Sequence, residues 1–326
     1  MNRIGVDLGG TKIQSIVLGA GDAVLASERV ATPRGSYQAT LEAVVSTVRN
    51  LEQTVGGEPL VGIGAPGIWQ PARGAMKNCN STWLNGRPLL TDLTELLGAR
   101  VKVANDADCF ALSEASSGAG VGFSSVFGVI LGTGVGGGLV VNGQLLTGPN
   151  GLTGEWGHTP LPYLGLHDCS RDSVPANADF GQRQAALDEL ESRLELRDCY
   201  CGRSGCVETY LSGPGLQRSH FELWGEERTS ESIASSSAEH SDEQAALTLA
   251  LYCRMLARSL AQVINIVDPA VIVLGGGLSN IGEIYARLNE QLAEYVFSGE
   301  CVTVAKPPVW GSESGVLGAA RLWPAE

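Results

Sequence analysis

Apolar residues recur along this chain in short continuous runs broken by glycine, and in longer stretches at helical spacing. Arg3–Leu8 reads as a buried strand, Gly9-Gly10-Thr11-Lys12 turns it back, and Ile13–Leu18 and Ala23–Val30 follow as second and third strands. Ser36–Val55 carries Leu41, Val44, Val45, Val48 and Leu51 on one helical face, which predicts an amphipathic helix whose task is core packing. Leu60–Gly64 predicts a buried strand ending in Ala65-Pro66-Gly67, and Val101–Ala104 a short strand leading into Asn105-Asp106 and a helix over Ala107–Ser116. Gly118–Gly122 reads as a glycine-rich hinge, and the domain boundary is expected there.

Beyond the hinge, Val126–Leu131 and Leu139–Val141 predict a strand–glycine–strand unit similar to Val6–Leu18. Two such units suggest an internal duplication, one per domain. Gln182–Leu196 predicts a short helix with Leu187, Leu190 and Leu194 on one face, and Glu243–Ile266 a long one that stops at Asp268-Pro269, as proline demands. Ala270–Leu274 reads as an apolar strand, Ile284–Phe297 as a helix, Val302–Ala305 as an edge strand and Glu313–Trp323 as a closing helix.

Composition narrows the class. The 326 residues are 44% hydrophobic, enough for one large or two ordinary domains with sizeable cores. The net charge of −13 argues against a nucleic-acid or anionic-membrane partner. No apolar run is read as long enough to span a bilayer, and no basic-then-apolar signal opens the chain, so a soluble cytoplasmic protein is expected. Ile4-Gly5-Val6-Asp7 already reads as a strand, so no DNA-reading helix-turn-helix is expected ahead of it.

Candidate chemistry concentrates between Val129 and His158. The hairpin Gly132-Thr133-Gly134-Val135-Gly136-Gly137-Gly138 lacks Cβ atoms that would keep an anion from backbone amides. Glu155 and His158, in Gly154-Glu155-Trp156-Gly157-His158, suit hydroxyls or a metal. Asp7, at a strand end before two glycines, can face Mg²⁺ or its water shell, or simply stabilise a tight hairpin. The loop Asn78-Cys79-Asn80-Ser81-Thr82-Trp83-Leu84-Asn85 follows a strand's carboxyl end, where α/β folds make ligand contacts, and reads equally as a connection rich in Asx-turns. Asp106 sits at a strand–helix junction, where locally an N-cap outweighs a general base. Gly275-Gly276-Gly277-Leu278-Ser279 can admit an adenosine or form only a tight turn.

Of eight cysteines, Cys79, Cys109, Cys169, Cys253 and Cys301 are scattered. Cys199, Cys201 and Cys206 cluster around Gly202 and Gly205, a spacing that favours a zinc knuckle over disulfides. A fourth ligand must come from elsewhere. Of His158, His167, His220 and His240, the tight, glycine-flanked His158 best completes a Cys₃His set.

The order of three glycine loops, Asn105-Asp106, Glu155-Trp156-Gly157-His158 and Cys199-Tyr200-Cys201-Gly202-Arg203-Ser204-Gly205-Cys206-Val207-Glu208 resembles the ROK family of sugar kinases and sugar-responsive repressors, over nearly the full length. Asn78–Gly86 and the ending Leu322-Trp323-Pro324 resemble its fructokinase and mannokinase branch. The resemblance implies an actin-like (ribonuclease H-like) ATPase fold of two α/β domains around a cleft, residues 1–117 with 312–326 and residues 118–311. It implies Asp7, Gly9, Gly10, Thr11 and Lys12 as a first phosphate loop. Gly132, Thr133, Gly134, Gly136, Gly137 and Gly138 match a second, and Gly275, Gly276 and Gly277 an adenosine loop. Asp106 matches the catalytic base, which overrides the local cap reading because phosphoryl transfer needs a carboxylate facing the attacking hydroxyl. Asn80, Asn105, Glu155, His158 and Glu208 match sugar contacts, and His158, Cys199, Cys201 and Cys206 the zinc ligands. ATP, Mg²⁺, Zn²⁺, a small-molecule sugar and a homodimer are implied. The expected activity is transfer of the γ-phosphate to a sugar hydroxyl, O6, with fructose as first choice of acceptor. The alternatives are glucose, mannose or an N-acetylhexosamine, and a non-catalytic sugar-responsive regulator. The forty residues 159–198 exceed the family's usual spacing, and the excess is expected to loop out beside the sugar site or at a subunit contact.

Overall fold

The computed structural model describes residues 1–162, 178–238 and 242–324, with the backbone alone described for 178–184. The candidates His167, Cys169 and His240 lie outside the described residues. Strands β1 (Arg3–Leu8), β2 (Lys12–Leu18) and β3 (Val24–Ala31) form the predicted meander, followed by helix α1 (Tyr37–Val55). Ser36 caps α1 by accepting from the Ala39 amide at 3.2 Å, as serine does where helix N–H groups lack partners. β4 (Leu60–Ala65) then leads through the hairpin β5 (Ile68–Gln70) and β6 (Ala75–Lys77) to α2 (Leu89–Leu97), β7 (Val101–Asn105) and α3 (Asp106–Ser117). The second half repeats the plan with β8 (Ser125–Leu131), β9 (Val135–Val141) and β10 (Gln144–Leu145). Helices α4 (Ala178–Ser192), α5 (Glu208–Leu211), α6 (Gly213–Trp224), α7 (Ser230–Ala238) and α8 (Glu243–Val267) precede β11 (Val271–Gly275), α9 (Gly282–Tyr295), β12 (Val304–Lys306) and α10 (Ser314–Ala320).

Ten of the described strands make two sheets with the same plan, β3-β2-β1-β4-β7 and β10-β9-β8-β11-β12, and β5 and β6 pair separately as a hairpin. In each, the first three strands pair antiparallel and the last two join parallel. The duplication read from the two glycine hairpins therefore extends to whole sheets.

Apolar side chains of β1, β4, α1 and α2, among them Ile4, Val6, Val44, Val48, Ile63 and Leu93, fill the first core. α8 forms the spine of the second, with Leu249, Leu256 and Leu260 fully buried. It has the length and apolar composition to cross a membrane, contrary to the expectation that no run would. Here 78% of that apolar window is buried inside the protein, as in the core helix of a folded domain. α8 stops where Asp268 turns left-handed (φ 49°) before Pro269.

Two helices join the halves. α3 leaves β7 of the first sheet and packs on β8 and β9 of the second, while α10 lies on β1 and β4 and touches α3. This approach requires missing Cβ atoms. A Cβ at Gly62 would strike the Ala319 carbonyl, one at Gly318 the Cys109 carbonyl, and one at Gly138 would sit 2.8 Å from the Ala107 carbonyl oxygen. The fully buried Glu114 of α3 ties the same region together. It accepts from the amides of Ala119 (2.9 Å), Val309 (3.0 Å) and Trp310 (3.1 Å) and from the Ser314 hydroxyl (3.1 Å). Beyond α10, Trp323 donates to the Val61 carbonyl at 2.9 Å while Lys102 lies over its ring, so the C-terminal residues finish on the first sheet.

Gly318→Ala is expected to force α10 off α3 and lower unfolding free energy by about 1–3 kcal/mol, the usual cost of overpacking. Urea unfolding checks it; unchanged stability would contradict so close an approach.

Candidate active site

The site lies where the strand ends of the two sheets converge on α3. A cavity of about 280 Å³ is lined by Asn80, Asn105, Asp106, Glu155, His158 and Glu208 among others, which brings the five predicted sugar contacts together with the predicted base. A neighbouring cavity of about 400 Å³ is lined by Asp7, Gly9, Gly10, Thr11 and Arg34. Asp106, Asn80 and Pro66 border both.

Asp106 is not the helix cap. Asn105 takes that duty, its Oδ1 accepting from the Ala107 amide at 2.8 Å, and its Nδ2 donates to the Gly67 carbonyl at 3.0 Å. Asp106 is the first helical residue, open to the cleft yet surrounded by protein mass, with Oδ1 2.9 Å from the Ala107 amide. Desolvation raises its pKa against the pull of the neighbouring amides. Burial, reinforced by nearby carboxylates, also pushes Asp7 to about 6 and Asp108 and Glu155 to about 7. For Asp7 the like charge is Asp106, with Lys12 pulling the other way. So much negative potential in one cleft favours a bound cation.

The first glycine loop is a turn closed by the Gly9 amide donating to the Lys12 carbonyl at 3.0 Å. Thr32 holds the Gly9 carbonyl (2.7 Å) and Arg34 the Gly10 carbonyl (3.2 Å). Arg34, a cation suited to phosphate, carried no motif that could have flagged it. Lys12 begins β2, half-buried.

Of the second glycine run, only Gly132, Thr133 and Gly134 form the turn. Gly136, Gly137 and Gly138 belong to β9, correcting the expectation of seven loop residues. Gly137 and Gly138 are buried, and Cβ atoms there would meet Trp156 and α3, so they serve packing. The turn itself is anchored: Glu208 Oε2 accepts from the Val135 amide at 2.9 Å, and the Gly213 amide donates to the Gly132 carbonyl at 2.8 Å. Gly275 is likewise a buried strand residue against Phe110, a second correction. Gly276 and Gly277 are exposed, and Gly276 (φ 83°) packs on the backbone of Leu131, beside the second turn.

His158, Cys199, Cys201 and Cys206 converge, with all four ligand atoms within 4.8 Å of one another. His158 Nδ1 is 3.5 Å from Cys199 Sγ, and Cys201 Sγ is 3.6 Å from Cys206 Sγ. Zinc bonds of about 2.0–2.3 Å set tetrahedral edges of roughly 3.5–3.8 Å, so the donor set and spacing fit zinc. The other ring nitrogen, Nε2, does not stand free for a sugar: it is 3.0 Å from the hydroxyl of Tyr200, a residue within the cysteine motif to which the sequence assigned no role.

This arrangement belongs to a sugar kinase, a phosphotransferase with an alcohol group as acceptor, and the chain is a member of the ROK family, whose model matches residues 3–326. It is 36% identical to N-acetyl-D-glucosamine kinase of Pasteurella multocida, over 98% of this chain and 99% of that protein. Among solved structures, the ROK hexokinase of Thermus thermophilus superposes with a TM-score of 0.79 at 29% identity, covering 98% of this chain and 97% of that one. A ROK glucokinase of Streptomyces griseus, in complex with glucose and AMPPNP, gives 0.70 at 26% identity, with 99% of both chains covered. The fold is the actin-like ATPase fold.

A raised carboxyl pKa favours the folded state below the unfolded value and loses that contribution as pH rises through the folded value. Asp7, at 3.8 ordinarily and about 6 here, therefore opposes folding increasingly between about pH 4 and 6 in metal-free protein. Relative to Asp7→Asn, the parent is expected to lose stability across that window. Urea titrations in EDTA at stepped pH check this, and parallel profiles would contradict it.

Proposed function

We propose that this chain is an ATP-dependent hexose kinase whose acceptor is N-acetyl-D-glucosamine. The observation that carries the reading is Asp106 at the junction of two cavities, one rich in amides and carboxylates, the other bounded by a glycine turn and Arg34. The choice of acceptor rests on the Pasteurella multocida relative and on its Escherichia coli counterpart, 37% identical over 98% of both chains. Fructose, first in the sequence-based expectation, is named by none of these relatives and gives way to the N-acetylhexosamine alternative.

In this reading the sugar lies among Asn80, Asn105, Glu155, His158 and Glu208. Asp106 takes the proton of the attacking hydroxyl as that oxygen bonds to the γ-phosphorus. The bond from phosphorus to the bridging oxygen breaks, and ADP leaves. Desolvation raises the pKa of Asp106 and so makes it a stronger base than an ordinary carboxylate. In the turns closed by the Gly9 and Gly132 amides, the backbone amides of Gly10, Thr11, Thr133 and Gly134 receive phosphate oxygens, with Lys12 and Arg34 nearby, and Gly276 and Gly277 leave room for the adenosine. Asp7 would hold Mg²⁺ or its water shell, which supplies charge neutralisation on the phosphates. His158, Cys199, Cys201 and Cys206 would hold Zn²⁺, which fixes the knuckle and the imidazole orientation. The division at residues 118–122, with 312–326 returning to the first domain, lets the halves close and exclude water. A homodimer belongs to the same reading.

Two outcomes are expected. A hexose panel with coupled ADP detection should give N-acetyl-D-glucosamine a kcat/KM at least tenfold above glucose, mannose and fructose; a higher value for any of those overturns the acceptor choice. Metal analysis of freshly purified protein should find one zinc per chain, and Cys206→Ser should lose it with a lower Tm; metal-free protein of full stability overturns the knuckle.

A further inference from the structure

Tyr200 stands between two of the knuckle cysteines, so a metal gripping Cys199 and Cys201 would fix its backbone on both sides. The ring is 63% exposed, yet it is held: it meets the His158 imidazole edge to face (90°, centroids 5.1 Å apart), with Oη 3.0 Å from Nε2. It lines the sugar cavity and also a second one of about 760 Å³, bounded by Gln70, Arg73, Met76, Cys79 and Asn85. Asn78 and Asn80 share this border position. Tyr200 is thus part of the partition between the two spaces.

The hydrogen-bond direction follows from ligation. When Nδ1 faces the metal, the neutral ring carries its proton on Nε2 and donates it to Oη. The phenol's own hydrogen then remains available to an acceptor in the cavities. No carboxylate or carbonyl is paired with Oη among the hydrogen bonds of the described residues.

We propose that Tyr200 is a specificity-determining residue for the acceptor, donating from Oη to the carbonyl oxygen of an acylamino substituent that points across the partition. The larger cavity beyond, with Met76 and Cys79 at its wall, gives the acyl carbon room and apolar contact. The assignment deepens the N-acetyl-D-glucosamine reading and rests on it. Glucose, which has a hydroxyl in place of the acylamino group, gains less from this donor.

Calorimetric binding to zinc-loaded protein, with zinc content measured on each variant, tests it. Tyr200→Phe keeps the ring and removes the donor. It is expected to lower the affinity ratio of N-acetyl-D-glucosamine over glucose about tenfold, one neutral hydrogen bond left unmade. Tyr200→Ala opens the partition and is expected to raise the affinity of N-butanoyl-D-glucosamine relative to the N-acetyl sugar. A parent that binds glucose and not N-acetyl-D-glucosamine overturns the acceptor reading before any variant is made. A parent that binds it, with an unchanged ratio in Tyr200→Phe or an unchanged acyl preference in Tyr200→Ala, overturns the Tyr200 assignment alone.

Discussion

Two helices lying almost backbone to backbone hold this molecule in register. α3 starts at the end of one sheet and rests on the other; α10 returns to the first and crosses α3 where Gly318 meets the Cys109 carbonyl. No side chain larger than hydrogen fits there, so the contact leaves little slack. Glu114 accepts from four donors, the amides of Ala119, Val309 and Trp310 and the hydroxyl of Ser314, on segments beside that crossing. Because Asp106 is the first residue of α3, its position is set by the joint between the halves. A carboxylate so mounted can face a hydroxyl held by one half and a phosphate steadied by both, which is the geometry the proposed transfer needs.

The electrostatics follow from that position. Burial raises the pKa values of Asp7, Asp106, Asp108 and Glu155, and repulsion from neighbouring carboxylates adds to it at Asp7, Asp108 and Glu155. Without a counterion the arrangement costs stability; with a divalent cation and a hydroxyl donor in the cleft it becomes useful chemistry. The proposed zinc knuckle answers a different need. It would fix His158 and Tyr200 at the rim, where small shifts in a polar group separate one hexose from another.

Much of this was legible in the sequence because strand–glycine–strand punctuation and the cysteine spacing each have few physical solutions. Four things were not. Glycine looks the same whether it admits a phosphate or a neighbouring backbone, so Gly137, Gly138 and Gly275 were read as ligand loops when they accommodate packing. The cap fell to Asn105 rather than Asp106, a one-residue distinction set by where the extended backbone turns helical. Tyr200 could be seen in the knuckle, but its bearing on the sugar depends on a ring orientation fixed by His158, forty-two positions away. Helices such as α7, with the sequence SESIASSSA, escaped because they lack an apolar stripe and owe their form to tertiary packing.

The account stands on proton acceptance by the carboxylate at the joint. Asp106→Asn preserves shape and removes the base. Single-turnover transfer from ATP, followed beside calorimetric binding of N-acetyl-D-glucosamine, separates chemistry from assembly. The prediction is transfer slowed by about 10²–10⁴-fold with sugar affinity within a few-fold of the parent. Transfer at the parental rate would contradict it.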